Sequence, residues 1–211
     1  MTTLPIRIRE IIRPDGTRGR SLLVFCPREG VSIVPERCAR CGFRCPPDTD
    51  ALAPSVGCGG ASHEEAYERP QGLLVGPHPV SARISAGAAS ARIIVCIQSD
   101  VPLSVASSAV GSGRGSGAFP VVDELGGLLG TISASALAPR GVHDPFITVG
   151  ETMMPGVAVR ESDHLDDAIG TMTSHHLRHV PVVDVARRVV GTLSDLELLR
   201  WVARGAPVHW R

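Results

Sequence analysis

The chain has no lysine: all 21 of its basic residues are arginine. They are matched by 21 acidic residues, so the net charge is zero, which excludes a globally basic nucleic-acid binder. Exclusive use of arginine in a chain rich in Ala, Gly and Val reads as codon bias rather than selection for guanidinium chemistry. No apolar run approaches the ~20 residues of a membrane span. No basic-then-apolar leader opens the chain. A cytoplasmic protein without membrane contact is therefore expected. Aromatic residues are scarce, at 3%. Residues 1–45 carry nine Arg against four acids, but Phe25 and Phe43 are their only aromatics. That supplies no base-stacking platform, so nucleic acid is an unlikely partner. Catalytic signatures are missing too. There is no nucleophile–base pairing, no motif of paired carboxylates and no cofactor fingerprint, so no enzyme is expected. The run Gly111-Ser112-Gly113-Arg114-Gly115-Ser116-Gly117 lacks both the Lys-Ser/Thr ending and the preceding strand of a phosphate loop.

What is present begins with bulk. A chain of 211 residues with 43% hydrophobic content can build one or two domains with real cores. The richest stretch runs from Thr148 to Arg200. It reads as an extended lead-in, a short strand at Val157-Ala158-Val159, a helix, two strands and a closing helix. Asp163 can cap the first helix, whose Leu165, Ala168, Ile169 and Met172 share one face. His179 to Asp184 and Arg188 to Leu193 read as partnered strands. Ser194 caps a helix carrying Leu196, Leu199 and Ala203. A weaker copy lies upstream. Ala118-Phe119-Pro120-Val121-Val122-Asp123 echoes His179-Val180-Pro181-Val182-Val183-Asp184. Gly130-Thr131-Ile132-Ser133 echoes Gly191-Thr192-Leu193-Ser194, and Val95 to Asp100 echoes Val157 to Ser162. A repeat of roughly sixty residues, present twice, marks a paired module.

The order of elements and the segments Val149-Gly150-Glu151-Thr152-Met153-Met154, Arg178 to Asp184 and Gly191 to Ser194 resemble the CBS domain, a nucleotide-sensing half-module that works in pairs. The resemblance covers residues 78 to about 205. It implies a cleft for an adenosyl ligand of the AMP, ATP or S-adenosylmethionine class. It also implies a regulatory rather than catalytic role, and a homodimer formed through helices bearing Leu196, Leu199, Trp201 and Val202. In the family pattern a Ser or Thr and an Asp open the last helix and hold phosphate and ribose. Here Ser194 and Glu197 take those places. Ser194-x-x-Glu197 is equally a helix capping box, and both readings stand. The first copy has Ser133 but Ala136 at the carboxylate position, so one competent site is expected, at Val180, Pro181, Ser194 and Glu197 with Thr148 and Met154 at its edge.

Five of six cysteines fall in residues 1–62. Clustering of this kind in a reducing compartment points to metal rather than disulfides. Cys38-Ala39-Arg40-Cys41-Gly42 is a knuckle of the zinc-ribbon type, with one knuckle where a ribbon has two. A tetrahedral site needs two further ligands, and Cys26 and Cys58 are the candidates, with Cys45 as the alternative. Zinc is expected ahead of an iron–sulfur cluster. Cys96, remote from the cluster, reads as a small buried hydrophobe. The expected architecture is α/β (α+β): a Cys-rich ribbon-like domain (1–62), a linker (63–77), a degenerate first CBS domain (78–140) and a second (141–207).

Overall fold

The computed structural model describes residues 2–42, 44–45, 55–58, 85–91, 93–110, 117–138 and 146–203. The expected linker at 63–77 lies outside these residues.

The first copy contains a short helix α2 (Ala86–Ala89), strand β6 (Ile93–Gln98), helix α3 (Leu103–Val110), strands β7 (Ala118–Val122) and β8 (Leu128–Ser133), and helix α4 (Ala134–Leu137). The second repeats the order. Helix α5 (Val149–Thr152) leads to two short strands, β9 (Met154–Pro155) and β10 (Val159–Arg160). Helix α6 (Leu165–Ser174), strands β11 (His179–Val183) and β12 (Val189–Ser194) and helix α7 (Asp195–Ala203) follow. The helices form where apolar residues recur on one face: Leu103, Ala106 and Val110 on α3, and Leu165, Ala168 and Met172 on α6, are buried. The strand pairs β7–β8 and β11–β12 are antiparallel, and each carries an irregularity at the same place, Val121/Val122 and Val182/Val183. Each turns through an aspartate. Asp123 Oδ1 accepts the N–H groups of Leu125 and Gly127, and Asp184 Oδ1 those of Ala186 and Arg188.

The lead-in of the second copy is helical, not extended, because Thr148 and Glu151 form a cap. The Glu151 carboxylate accepts the Thr148 N–H at 2.8 Å and its hydroxyl at 2.9 Å. The short strand starts at Val159 rather than Val157. The N-cap of α6 is His164, while Asp163 accepts the Arg160 N–H at 2.7 Å.

Each lead-in helix docks on the opposite copy. In α2 the N–H groups of Ala86 and Gly87 donate to Asp163 O and Glu161 O; in α5 those of Val149 and Gly150 donate to Val101 O and Ser99 O. Beyond the helices, Ala91 N–H donates to Thr192 O, and β9 pairs with β8 through Met154 and Thr131. The exchange explains the repeated glycines. A Cβ at Gly191 would stand 2.5 Å from Ser90 Oγ, and one at Gly130 2.5 Å from the Met154 carbonyl oxygen.

The N-terminal segment supplies β1 (Thr2–Ile12), β2 (Arg18–Cys26), β3 (Val31–Ile33), helix α1 (Pro35–Ala39) and strands β4 (Arg44–Cys45) and β5 (Ser55–Cys58). It is not set apart from the repeats. β1 pairs antiparallel with β2 and, from Ile8 to Ile12, parallel with β6. The sheet therefore runs β3-β2-β1-β6-β7-β8-β9, with β4 and β5 off this path and β5 also pairing β1, beside a separate sheet β10-β11-β12. Ile12 enters the core of the first copy with Ile97, Val121 and Ile132. Leu23 enters that of the second with Val159, Leu165 and Val180. A ribbon standing alone on residues 1–62 would leave these apolar side chains uncovered. Cys96 is fully buried and its thiol is pushed up to about 12 by burial.

Polar contacts reinforce the hairpin. Arg7 is buried, donates to Gly87 O and lies over the Phe25 ring; burial pulls its guanidinium down to about 10, with Glu161 opposing. Arg9 Nη1 donates to Val189 O at 3.0 Å, and Arg18 and Arg20 both grip buried Glu10 at 2.8 Å. Glu161, also buried, accepts the Ser32 N–H at 2.7 Å. Burial first, then Asp184, pushes its carboxyl above the usual range against the Ser32 bond and Arg7.

Two predictions follow from these contacts. Gly130→Ala and Gly191→Ala each lower stability by about 1–3 kcal/mol, as overpacking does. Urea denaturation should rank Gly130→Ala as the worse, since a backbone oxygen faces it, and Ser90→Gly should restore part of the loss only in Gly191→Ala. For Glu161, the native state holds its proton longer than the unfolded chain. Its contribution to stability therefore declines as pH rises from the model-peptide value of 4.5 through the elevated native value. In urea midpoints measured against pH, Glu161→Gln should gain on the parent over that window; a constant difference would contradict the raised carboxyl.

Candidate functional site

A cleft of about 620 Å³ opens where the two copies meet. Its elements come from both. The first copy contributes Ile93 and Val95 from β6, and Phe119 and Pro120 from β7. The second contributes Arg178 and His179 before and at the start of β11, Thr192 and Ser194 from β12, and Asp195, Leu196, Glu197 and Leu199 from α7. The exchange of lead-ins creates this composition, because the Ala91–Thr192 hydrogen bond lays the start of β6 against β12.

The walls are apolar and partly open: Ile93, Leu196 and Leu199 are each half exposed. The polar groups gather at the N-terminus of α7. Ser194 is buried and accepts the Glu197 N–H at 3.2 Å, while its hydroxyl donates to the Glu197 carboxylate. This is the capping arrangement that Ser194-x-x-Glu197 permits. Beside it Arg178 Nε donates to Asp195 at 2.7 Å, and that bond holds the Asp195 carboxyl below its usual range. Gly117 lets His179 approach: a Cβ there would lie 2.9 Å from His179 Nε2. Apolar walls with a few convergent polar groups are the usual form of a small-molecule site.

Of the six residues expected at a ligand site, Ser194 and Glu197 line this cleft. The other four do not. Thr148 caps α5 and bridges to Pro102. Met154 is exposed on β9, opposite Thr131 of the first copy. Val180 and Pro181 are buried in β11. The physical reason is the exchange. Ser194 pairs with His179 of its own copy in the β11–β12 ladder, and it lines the cleft together with Phe119 and Pro120 of the other copy, while Val180 and Pro181 do not line it. The cleft is also lined by Ile93, Val95, Phe119, Pro120, Thr192 and the Arg178–Asp195 pair, none of which the sequence had singled out for a site. Phe119-Pro120 was visible in the sequence as the echo of Val180-Pro181. Nothing in the sequence said that the echo, rather than the original, would complete the site.

The expected metal centre is not assembled. Among the described residues no group of three or more His, Cys, Asp or Glu side chains is set to hold an ion. Cys26 is half-buried at the end of β2, opposite Val31. Cys38 is buried on α1, Cys41 is exposed, and Cys58 is buried on β5, opposite Thr2. The strand ends that were to bring Cys26 and Cys58 to the knuckle are committed to separate ladders. The side chain of Cys45, the alternative ligand, lies outside the described residues. Of the nine N-terminal arginines, Arg7, Arg9, Arg18, Arg20 and Arg37 have partners within the chain.

Comparison with known proteins agrees with the geometry. The family model of the CBS domain matches residues 147–204. A curated relative, the uncharacterized protein YlbB of Bacillus subtilis (strain 168), is 38% identical over 90 residues. That match covers 39% of this chain and 60% of the relative, less than two thirds of its length. Among solved structures, CBSX2 in complex with AMP is 20% identical with a TM-score of 0.51, covering 59% of this chain and 99% of that one. The CBS domain of a bacterial CNNM/CorC family Mg2+ transporter in complex with ATP is 16% identical with a TM-score of 0.52, covering 58% and 89%. At these identities the likeness is one of fold. No helix among the described residues is long and apolar enough to cross a membrane. Residues 147–204 thus match the CBS domain, and the two copies together share the mixed α/β fold of CBS domain pairs.

Proposed function

We propose that this protein is a non-catalytic regulatory unit of the cytoplasm that binds one adenosyl nucleotide per chain in the cleft between its two copies. The observation that carries this reading is the cleft itself, whose apolar walls and α7 N-terminus come from different copies. Ile93, Val95, Leu196 and Leu199 are the apolar groups a flat base would meet. Thr192, Ser194 and Glu197 are the groups a ribose would meet. The two fold relatives named above were solved with AMP and with ATP, which supports the same class of ligand. A ligand that touches both copies favours the arrangement in which both sets of contacts are made, and that difference in affinity is what shifts a population.

Two further parts belong to this reading. A second copy of the chain is the expected partner. An apolar groove of about 520 Å³ between α6 and α7, lined by Ile169, Met172, Leu177, Leu198 and Leu199, supports a homodimer through these helices. The Cys38–Cys41 knuckle, completed by Cys58 and by Cys45 as the alternative to Cys26, is proposed to hold zinc. Its spacing supports this, as does the β4–β5 ladder, which sets Cys45 opposite Gly57, next to Cys58 in sequence.

Calorimetric titration with AMP, ATP and S-adenosylmethionine tests the central claim. Saturation near one site per chain is expected, and Ile93→Trp, an exposed change that fills the cleft, should weaken it at least about tenfold, or 1.4 kcal/mol, without lowering the melting temperature. No binding by any of the three would end the adenosyl reading. Metal analysis and sedimentation of the same sample should find about one zinc per chain, a stoichiometry expected of a four-ligand site, and a dimer; a monomer free of metal would remove both accompanying parts.

A further inference from the structure

Away from the cleft, the N-terminal hairpin meets the second copy at a buried polar spot that direct bonds do not complete. Arg7 is 1% exposed. Its Nη2 donates to Gly87 O, while Nε and Nη1 have no partner. The Ser32 hydroxyl, also buried, has none either. A buried donor without an acceptor forfeits the hydration it had in the unfolded chain, and a charged donor forfeits most. Such groups are rarely left unpaired. All three are donors, so what they need is an acceptor. The strand registers set Arg7 opposite Leu23 and Ser32 opposite Phe25, so the four side chains share one face of the sheet. That face is turned to α2 and to Glu161, whose carboxylate accepts the Ser32 N–H at 2.7 Å. The Phe25 ring covers the Arg7 guanidinium at 5.7 Å. Gly87 closes in beside them: a Cβ there would stand 2.5 Å from Phe25 Cε2 and 2.9 Å from Glu161 O. Arg7 and Glu161 feel each other's charge, yet none of the guanidinium nitrogens bonds to the carboxylate. Where buried polar groups face each other beyond hydrogen-bond reach, a bridging water joins them almost as well as a direct bond.

We propose that Arg7, Ser32 and Glu161 form a binding site for one ordered water, which accepts from the Arg7 guanidinium and the Ser32 hydroxyl and donates to the Glu161 carboxylate. Hydrogen bonds of about that number are what a buried water ordinarily makes. The result is a water-mediated ion pair that fastens β1 and β3 to the second copy. It does so at the corner on which α2 docks, where the Gly87 N–H donates to Glu161 O. The charges favour water over an anion. Asp184 acts on Glu161 from the β11–β12 turn, so two carboxylates stand here. Arg9, the next cation on the same face of β1, is committed to Ser21 Oγ and Val189 O. Two acids against two arginines leave no surplus positive charge for an anion to neutralise. An anion also has no proton to give to Glu161. None of the three residues lines the cleft, so the bridge needs no adenosyl ligand.

High-resolution crystals of the full chain, grown in bromide, test the site directly. The expected result is a water within about 3.2 Å of the Arg7 guanidinium, Ser32 Oγ and the Glu161 carboxylate, with no anomalous signal at that position. A direct Arg7–Glu161 ion pair would overturn the proposal, and so would a bromide peak at the guanidinium. In solution, Ser32→Ala separates a bridged hydroxyl from an orphaned one. The change is small, and it keeps the backbone N–H that Glu161 accepts. If the water is present, urea denaturation should show the folding equilibrium constant falling about fivefold, as loss of one hydrogen bond does. A constant unchanged or raised would overturn the bridge, because removing an unpartnered buried hydroxyl relieves a cost instead of adding one.

Discussion

Everything in this molecule depends on the crossing of two short segments. The stretch before each copy makes its hydrogen bonds on the other copy: α2 on the corner at Glu161 and Asp163, α5 on the corner at Ser99 and Val101. Neither copy has a complete surface without its neighbour. A half-module with one sheet face bare buries too little to be stable alone. The crossing also makes the cleft, because it carries the start of one copy's first strand onto the last strand of the other. Fold and site are consequences of one arrangement.

The N-terminal hairpin adds a second tie between the copies. β1 continues the first copy's sheet, while Leu23 packs into the second copy's core and Ser32 binds Glu161 near its edge. The arginines that give this segment its basic character serve within the fold. Arg9 reaches a carbonyl of β12, and Arg18 and Arg20 neutralise a buried glutamate. Buried Arg7 of the hairpin and Glu161 of the second copy feel each other's charge. Charged groups in such places are sensitive to the spacing of what surrounds them, so a rearrangement of the pair would be felt in the hairpin.

Much of the repeat was legible in the sequence, because its signals are local. Periodic Leu165, Ala168 and Met172 mark a helix, and the twin Gly-Thr-hydrophobe-Ser segments mark the strand leading to each closing helix. Ser194 announces the cap that it makes. What could not be read was non-local. Val180-Pro181 and Phe119-Pro120 look alike, and only the crossing decides which of them lines the cleft with Ser194. Ile6, Ile8, Ile11 and Ile12 all lie on the extended β1, yet nothing in their pattern names β6 as a partner. The cysteines invited a self-contained metal unit because their spacing is local too. The pairing of β1 with β6 and the separate ladders of Cys26 and Cys58 are long-range facts that spacing does not encode.

The parallel pairing of Ile8 with Ile93 orders events during synthesis. The β1–β2 turn closes over a few residues and can form as soon as it leaves the ribosome. Its far edge must then wait for a strand roughly eighty residues downstream, the kind of distant contact that slows folding. The wait lengthens for α2, whose acceptors Glu161 and Asp163 are made later still. An exposed strand edge during such an interval is open to pairing with another nascent chain. Arg7 and Arg9 lie on that edge, and charge on an edge strand opposes such pairing.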